Sequence, residues 1–179
     1  MILSGEEIIK NKEIDINPTP CEEAIQPASI DLHLSKYVTV LPRNVVIDVH
    51  ERYPPVHLLI IPQDGIELKP GDFVLLRTLE TVTISNNYCA LCEGRSSIGR
   101  LGLTIHVTAG FTDPGYKGTL TLECKNLSDT TIKLYAGMRI CQLIVMEVKN
   151  NSKNYNGKYQ YGVDPEPSKI NQDKENIQE

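Results

Sequence analysis

The sequence predicts an all-β fold, a distorted β-barrel or jelly roll, preceded by a short N-terminal helix. Several short segments alternate apolar and polar residues, and this period of two marks a strand with one buried face. Turn-forming runs such as Lys69-Pro70-Gly71-Asp72 separate these segments. No long stretch has a helical period, and no internal repeat is present. Many short strands at this spacing are typical of barrels and double-sheet β folds.

The helix is predicted near the N-terminus by a capping pattern. Ser4 and Glu7 have the spacing of a capping box, and Ile8 and Ile9 follow them. We expect a helix of about two turns that ends before Pro18, because proline disrupts a helix interior.

The predicted strands cover most of the chain up to residue 148. In the first of them Ile30, Leu32 and Leu34 alternate with Asp31 and His33. A short hydrophobic strand is also expected after Gly102. Apart from this short strand, the predicted strands are 29–40, 44–49, 56–61, 73–84, 119–125, 130–134 and 139–148. Residues 1–148 are therefore expected to form one domain, and the polar, tyrosine-containing residues 149–179 a C-terminal lid and flexible tail.

Composition limits the classes of function. A formal net charge of −5 argues against general nucleic-acid binding, which requires a basic face. No apolar run approaches the ~20 residues that cross a bilayer, and the N-terminus lacks the pattern of a secretory signal. Five cysteines lie scattered among apolar residues, as expected for buried thiols in a reducing cytoplasm.

Residues 92–125 carry the densest chemistry. Arg95, Ser96, Ser97 and Arg100 lie among glycines, and guanidinium groups, hydroxyls and exposed main-chain N–H groups suit phosphate oxygens. This segment predicts a site for a phosphorylated ligand, with a salt-bridged surface turn as the structural alternative.

The strand that follows carries one acid, Glu123, on the face opposite Leu122. A partly shielded carboxyl group there would have a raised pKa and would serve as base and then acid on a water, whereas a solvated strand face is the structural alternative. Asp113 is either a turn former or a ligand for a sugar hydroxyl. His106 is expected to be a hydrogen-bonded structural histidine in an apolar strand.

The pair Cys89 and Cys92 has C-x-x-C spacing but does not predict a zinc site. His106 lies after the cysteines rather than before them, and no proline precedes Cys89. In an extended strand, residues three apart point to opposite faces, so the two thiols do not converge.

Together these motifs resemble the dCTP deaminase branch of the trimeric dUTPase superfamily. The resemblance rests on residues 94–103 (GRSSIGRLGL), 106–111 (HVTAGF), 113–116 (DPGY) and 121–123 (TLE). Residues 1–4, 26–31, 69–71, 135–143 and 158–160 extend it along the chain.

The resemblance implies a dUTPase-like (β-clip) barrel with a C-terminal lid, assembled as a homotrimer with sites at subunit interfaces. It implies dCTP or dUTP as substrate, Mg²⁺ carried by the triphosphate without protein ligands, no zinc, and dTTP as an inhibitor. Deamination followed by diphosphate release would supply dUMP for dTMP synthesis.

The resemblance also assigns site residues. Glu123 matches the acid that activates the attacking water, Ser96 and Arg100 match residues that position it, and Asp113 matches the residue that holds the sugar 3′-hydroxyl. The full set of expected nucleotide-binding residues is Arg95, Ser96, Ser97, Ile98, Gly99, Arg100, Ala109, Asp113, Thr121, Leu122, Glu123, Gln142, Tyr155, Lys158 and Gln160.

The run Thr108-Ala109-Gly110 resembles family members that continue to dUMP, since a glycine leaves room for a second water. The alternatives are a deaminase that stops at dUTP, a dUTP diphosphatase without deaminase activity, and a non-catalytic nucleotide-binding module. The chain departs from the family pattern at Cys141, where glycine is usual, and at Gly162, where a lid glutamine is expected.

Overall fold

The structure is a computed structural model that describes residues 1–150 and 152–173. Its two helices are α1 (Gly5–Lys10) and α2 (Ser96–Gly99). The strands are β1 (Ile14–Asn17), β2 (Ile25–Gln26), β3 (Ser29–Val40), β4 (His57–Ile60), β5 (Ile66–Leu68), β6 (Phe73–Ile84), β7 (Tyr88–Gly94), β8 (Leu103–Thr104), β9 (Phe111–Thr112), β10 (Lys117–Asn126), β11 (Ile132–Leu134) and β12 (Arg139–Glu147).

The first helix begins where the capping pattern predicts. The Ser4 Oγ accepts a hydrogen bond from the Glu7 main-chain N–H at 3.2 Å, and the Ser4 N–H donates to the Glu7 carboxylate at 3.0 Å. This reciprocal pair satisfies donors that the first turn leaves free, so α1 is a stable if short element.

Ten of the described strands form one antiparallel sheet that curls around the core. Its order is β8-β10-β6-β3-β12-β7-β9, with β1 also paired to β6 and with β2 and β4 paired to β3. The short strands β5 and β11 form a separate pair. The fold is all-β with few helices, as the sequence predicted.

The core is aliphatic, and its side chains come from the inward faces of the long strands. Leu32, Leu34, Leu76, Leu122 and Leu143 are fully buried. Complete burial of such a side chain stabilises the fold by about 1.5–3 kcal/mol, so these strands hold the sheet closed.

The long strands are predicted best and the loops worst. The structure confirms strands 29–40 and 73–84 with the same bounds. The predicted strand 44–49 is wrong: no described strand pairs with it, and Val46 is 94% exposed. The short strand predicted after Gly102 is present as the two-residue β8, and residues 105–110 form a loop between it and β9.

The C-terminal segment packs back onto the barrel. The Thr39 hydroxyl donates to the carbonyl of Pro165 at 2.7 Å, and the Thr119 N–H donates to the carbonyl of Gly162 at 2.9 Å. The predicted tail lies partly outside the described residues, which end at Asp173. Within the described ranges, no helix is both long and apolar enough to span a bilayer.

Candidate active site

Glu123 lies on β10 at the wall of a cavity of about 410 Å³, which we call the Glu123 pocket. Its side chain is 27% exposed. One carboxylate oxygen accepts a hydrogen bond from the Val107 N–H at 3.3 Å and lies 3.8 Å from Nδ1 of His106. The loop 105–110 therefore holds the carboxylate at the pocket wall.

The pKa of Glu123 is lowered, and the predicted rise is wrong. The His106 ring makes the largest contribution to lowering it, burial acts in the opposite direction, and the main-chain N–H groups of Val107 and Thr108 add to the effect of the histidine. A carboxyl group with this pKa is ionised at neutral pH, as a general base must be before it accepts a proton.

His106 lies in the loop rather than in a strand, and its side chain is only 10% exposed. Neither ring nitrogen has a hydrogen-bond partner among the described residues, so the predicted hydrogen-bonded structural histidine is wrong. Burial by itself lowers the pKa of His106, but the neighbouring Cys92 and Glu123 outweigh burial and raise this pKa to about 9. The ring is therefore cationic at neutral pH.

Gly110 is required by a close approach between the loop and β7. The Cys92 N–H donates to the Gly110 carbonyl at 2.7 Å. A Cβ atom at position 110 would lie 2.6 Å from the Cys92 carbonyl oxygen, which is too close for any side chain. The glycine thus places the loop against the strand, in addition to any space that it leaves for a water.

A second cavity, the Arg95 pocket, lies at the junction of β3, β7 and β12 and has a volume of about 430 Å³. Arg95, Ser96, Ser97 and Gln142 line it together with buried Asp31. The two serines are exposed, since Ser96 and Ser97 begin the single-turn helix α2.

Asp31 orients the arginines of this pocket. Its Oδ2 lies 2.9 Å from Nε of Arg95 and 3.2 Å from an Nη of Arg139, and the side chain of Asp31 is 3% exposed. Because one carboxylate pairs with two guanidinium groups, the charge is neutralised and Arg95 is directed toward β3. No role was predicted for Asp31 or Arg139 from the sequence, although an acid between the apolar Ile30 and Leu32 was a visible signal.

The predicted site residues fall into two groups. Ala109, Asp113, Thr121, Glu123 and Tyr155 line the Glu123 pocket. Those that line the Arg95 pocket are Arg95, Ser96, Ser97 and Gln142. Within this chain the arginine–serine segment and Glu123 therefore line different cavities.

Four predicted residues line neither cavity for evident reasons. The side chains of Ile98 and Leu122 are buried in the core, so any ligand contact from them is made by the main chain. Lys158 pairs with Asp173 at 2.6 Å. Gln160 accepts from the Lys117 N–H at 2.9 Å and donates to the carbonyl of Gly115 at 2.8 Å.

Gly99 and Arg100 are exposed at the end of α2. Among the described residues, no group of three or more His, Cys, Asp or Glu side chains is arranged to hold a metal ion.

A family model described as dCTP deaminase-like matches residues 2–148. The chain belongs to the dCTP deaminase-like family. The resemblance drawn from the motifs is thereby confirmed. A curated relative named dCTP deaminase, dUMP-forming, from Sulfurihydrogenibium sp. (strain YO3AOP1) is 41% identical over 167 residues, which cover 89% of this chain and 92% of that relative.

Solved structures share the fold at low identity. A 2′-deoxycytidine 5′-triphosphate deaminase from Agrobacterium tumefaciens has a TM-score of 0.64 at 19% identity, over 80% of this chain and 47% of that one. The dUTPase of Staphylococcus bacteriophage 80alpha with dUpNHpp has a TM-score of 0.53 at 15% identity, over 82% of this chain and 98% of that one.

Proposed function

We propose that this chain hydrolyses the amino group from the cytosine of dCTP and then releases diphosphate, giving dUMP. The observation that carries the proposal is the ionised, partly buried carboxylate of Glu123 in a pocket that also contains Asp113 and Gly110. Membership of the dCTP deaminase-like family and the name of the relative at 41% identity support the same reaction.

In the first step Glu123 takes a proton from a water, and the water oxygen forms a bond to C4 of the cytosine. Glu123 then returns the proton to the leaving amino group, the C4–N4 bond breaks, and ammonia leaves dUTP behind. The charge that develops at the ring is stabilised by hydrogen-bond donors, for which we propose Ser96 and Arg100. The step consumes one water and needs no oxidant or reductant.

In the second step another water attacks the α-phosphate of dUTP, and the bond to the β-phosphate oxygen breaks. The products are dUMP and diphosphate. We propose that Asp113 holds the sugar 3′-hydroxyl and that Gly110 leaves space for this water. In this proposal Mg²⁺ enters with the triphosphate as part of the substrate.

We further propose a homotrimer in which the Arg95 pocket of one subunit meets the Glu123 pocket of its neighbour. The separation of the predicted residues into two cavities supports this arrangement, because each cavity contains only part of the chemistry. In the same proposal residues 1–148 form the barrel, and the C-terminal segment contributes a lid through Tyr155, which lines the Glu123 pocket. Lys158 and Gln160 would contact nucleotide only after releasing their present partners.

The deciding experiment incubates the pure protein with dCTP and Mg²⁺ and measures ammonia, dUTP, dUMP and diphosphate over time. We expect ammonia and diphosphate in equal amounts, with dUMP as the nucleotide product. Accumulation of dUTP without diphosphate would indicate a deaminase that stops early, and hydrolysis of added dUTP without ammonia from dCTP would indicate a diphosphatase. Binding without turnover of either nucleotide would support the non-catalytic module.

Two further expectations concern inhibition and cellular location. Adding dTTP to the assay tests it as an inhibitor, which the family resemblance alone suggests. A cytoplasmic location is consistent with five free cysteines, four of them buried.

A further inference from the structure

The floor of the Glu123 pocket contains a thiol that the proposed reaction does not use. Cys92 lies on β7, is 1% exposed to bulk solvent and lines the pocket together with His106 and Glu123. Cys89, three residues earlier on the same strand, points to the opposite face and does not line the pocket. Of these two thiols, Cys92 is therefore the one that a molecule in the pocket reaches.

A second buried thiol supports the first. Strands β7 and β12 pair with Cys92 opposite Leu143 and Gly94 opposite Cys141, so Cys92 and Cys141 are diagonal neighbours on one face of the sheet. Cys141 stands where the family pattern has glycine, which has no side chain to offer at this position. The thiol of Cys141 acts first to lower the pKa of Cys92, and His106 adds to that effect, whereas the pKa of Cys141 itself is raised.

His106 supplies an independent sign that the site binds something. Its side chain is nine-tenths buried, both ring nitrogens lack a hydrogen-bond partner among the described residues, and the ring lines the same pocket. The same ring lies 3.8 Å from the Glu123 carboxylate, and a cationic ring beside a thiol favours the thiolate, which is the nucleophilic form of cysteine. Geometry and charge thus both direct reactivity to Cys92.

We propose that small oxidants and electrophiles modify Cys92, and that its natural reagents are peroxides such as hydrogen peroxide. The thiolate sulfur attacks one peroxide oxygen, a sulfur–oxygen bond forms, the oxygen–oxygen bond breaks, and hydroxide leaves and is protonated to water. Sulfur is oxidised to the sulfenic acid and peroxide is reduced. An added thiol reductant reverses the step through a mixed disulfide.

Oxidation at this position fills space at the pocket floor beside Glu123. The consequence for turnover rests on the function proposed above, whereas the reactivity of the thiol does not. Loss of activity on peroxide treatment, recovered with reductant, is the expected functional result.

The test compares thiols within one chain. In a Cys21→Ser background, which removes the exposed cysteine, the protein is treated with methyl methanethiosulfonate, and peptide mass spectrometry measures the labelling rate of each remaining cysteine. Cys89 and Cys124 are matched buried controls, since burial raises the pKa of both. We expect Cys92 to be labelled at least about 10-fold faster than either, because the thiolate is the reacting form.

Two variants test whether Cys141 is the cause of the fast labelling of Cys92. Cys141→Ala is expected to slow labelling of Cys92, and Cys141→Ser, which keeps a hydrogen-bond donor, is expected to restore part of the rate. Labelling of Cys92 no faster than Cys89 and Cys124 in the folded protein overturns the proposal. Fast labelling that is unchanged in Cys141→Ala overturns the part assigned to Cys141.

An experiment with a bound substrate analogue distinguishes failure of this proposal from failure of the proposed function. With Mg²⁺ and dUpNHpp bound, as judged by a shift in thermal unfolding, labelling of Cys92 is expected to slow while labelling of Cys124 does not. Unslowed labelling despite binding contradicts access through the pocket. If dUpNHpp does not bind, the proposed function is in error, and the labelling ratio still decides the reactivity of Cys92.

Discussion

The Glu123 pocket and the Arg95 pocket differ in the arrangement of their charged side chains. In the Glu123 pocket an anionic carboxylate faces a buried cationic ring at 3.8 Å, beside a thiol and apolar walls. In the Arg95 pocket a buried carboxylate is paired with two arginines, and the serines beside it remain exposed. The first arrangement changes the proton affinity of its groups, whereas the second fixes the direction of its positive charges.

This difference matches two separate chemical demands. Proton transfer to and from a nucleobase is favoured by a partly dehydrated pocket, in which one charged group strongly influences the next. Binding and release of a triphosphate require fixed, hydrated donors that hold oxygens in place. Because a single subunit keeps these environments apart, the comparison predicts that each is necessary and neither sufficient.

The largest effect is expected from Glu123→Gln, which keeps the size of the side chain but removes the base. We expect ammonia release from dCTP to fall about 10²–10⁴-fold, the usual contribution of a general acid–base group. A coupled ammonia assay measures it, and the unfolding temperature serves as the check on folding. Glu93→Gln, an exposed acid on β7, is the matched control. Ammonia release that persists in Glu123→Gln removes this residue from the mechanism.

Mixed oligomers test whether the two pockets meet across subunits. Glu123→Gln subunits, altered in the Glu123 pocket, and Arg95→Gln subunits, altered in the Arg95 pocket, are each expected to be inactive alone. If sites are shared between subunits, co-expression in equal amounts restores both intact halves in about a quarter of the sites, because each site takes one half from each of two subunits. Recovery near that fraction of wild-type activity supports sharing, and no recovery places the whole site within one subunit.

Asp31→Asn tests the ion pairs of the Arg95 pocket through the free energy of unfolding. Removing a buried partner from a charge pair costs about 3–5 kcal/mol when both groups are buried. Here Arg95 and Arg139 are 26% and 34% exposed, so water compensates part of the loss and we expect about 2 kcal/mol. Urea unfolding measures it, with Glu67→Gln at the exposed pair between Glu67 and Lys133 as control. An unchanged unfolding midpoint would show that Asp31 does not hold the arginines.

The smallest effect concerns pH and the Glu123 pocket. Glu123 acts while ionised and its pKa lies below the usual value, so activity is lost only as pH falls through that lowered pKa. His106→Gln removes the main cause of the lowering. We therefore expect the acid limb of the kcat/KM profile to move to higher pH.

The matched control for this shift is His57→Gln, which changes an exposed histidine on the edge strand β4. Its pH profile should coincide with that of the unchanged protein. If the His106→Gln profile also coincides, His106 does not influence the base.

The sequence alone determined the long strands and the identity of the family. Strands 29–40 and 73–84 were predictable to the residue because each is a long run rich in apolar and β-branched residues next to turn-forming residues. The motifs around Arg95 and Glu123 were readable because they are contiguous in the chain. The segment 44–49 shows the limit, since apolar residues without a partner strand remained an exposed loop.

Only the tertiary structure decided which groups meet. His106 beside Glu123, Cys141 beside Cys92, and Asp31 between Arg95 and Arg139 all join positions that lie far apart in the chain. Local pattern carries no information about such pairs, because strand register and the path of the loop 105–110 bring them together. The direction of the Glu123 pKa followed the same rule: burial suggested a rise, and His106, on the loop 105–110, lowered it.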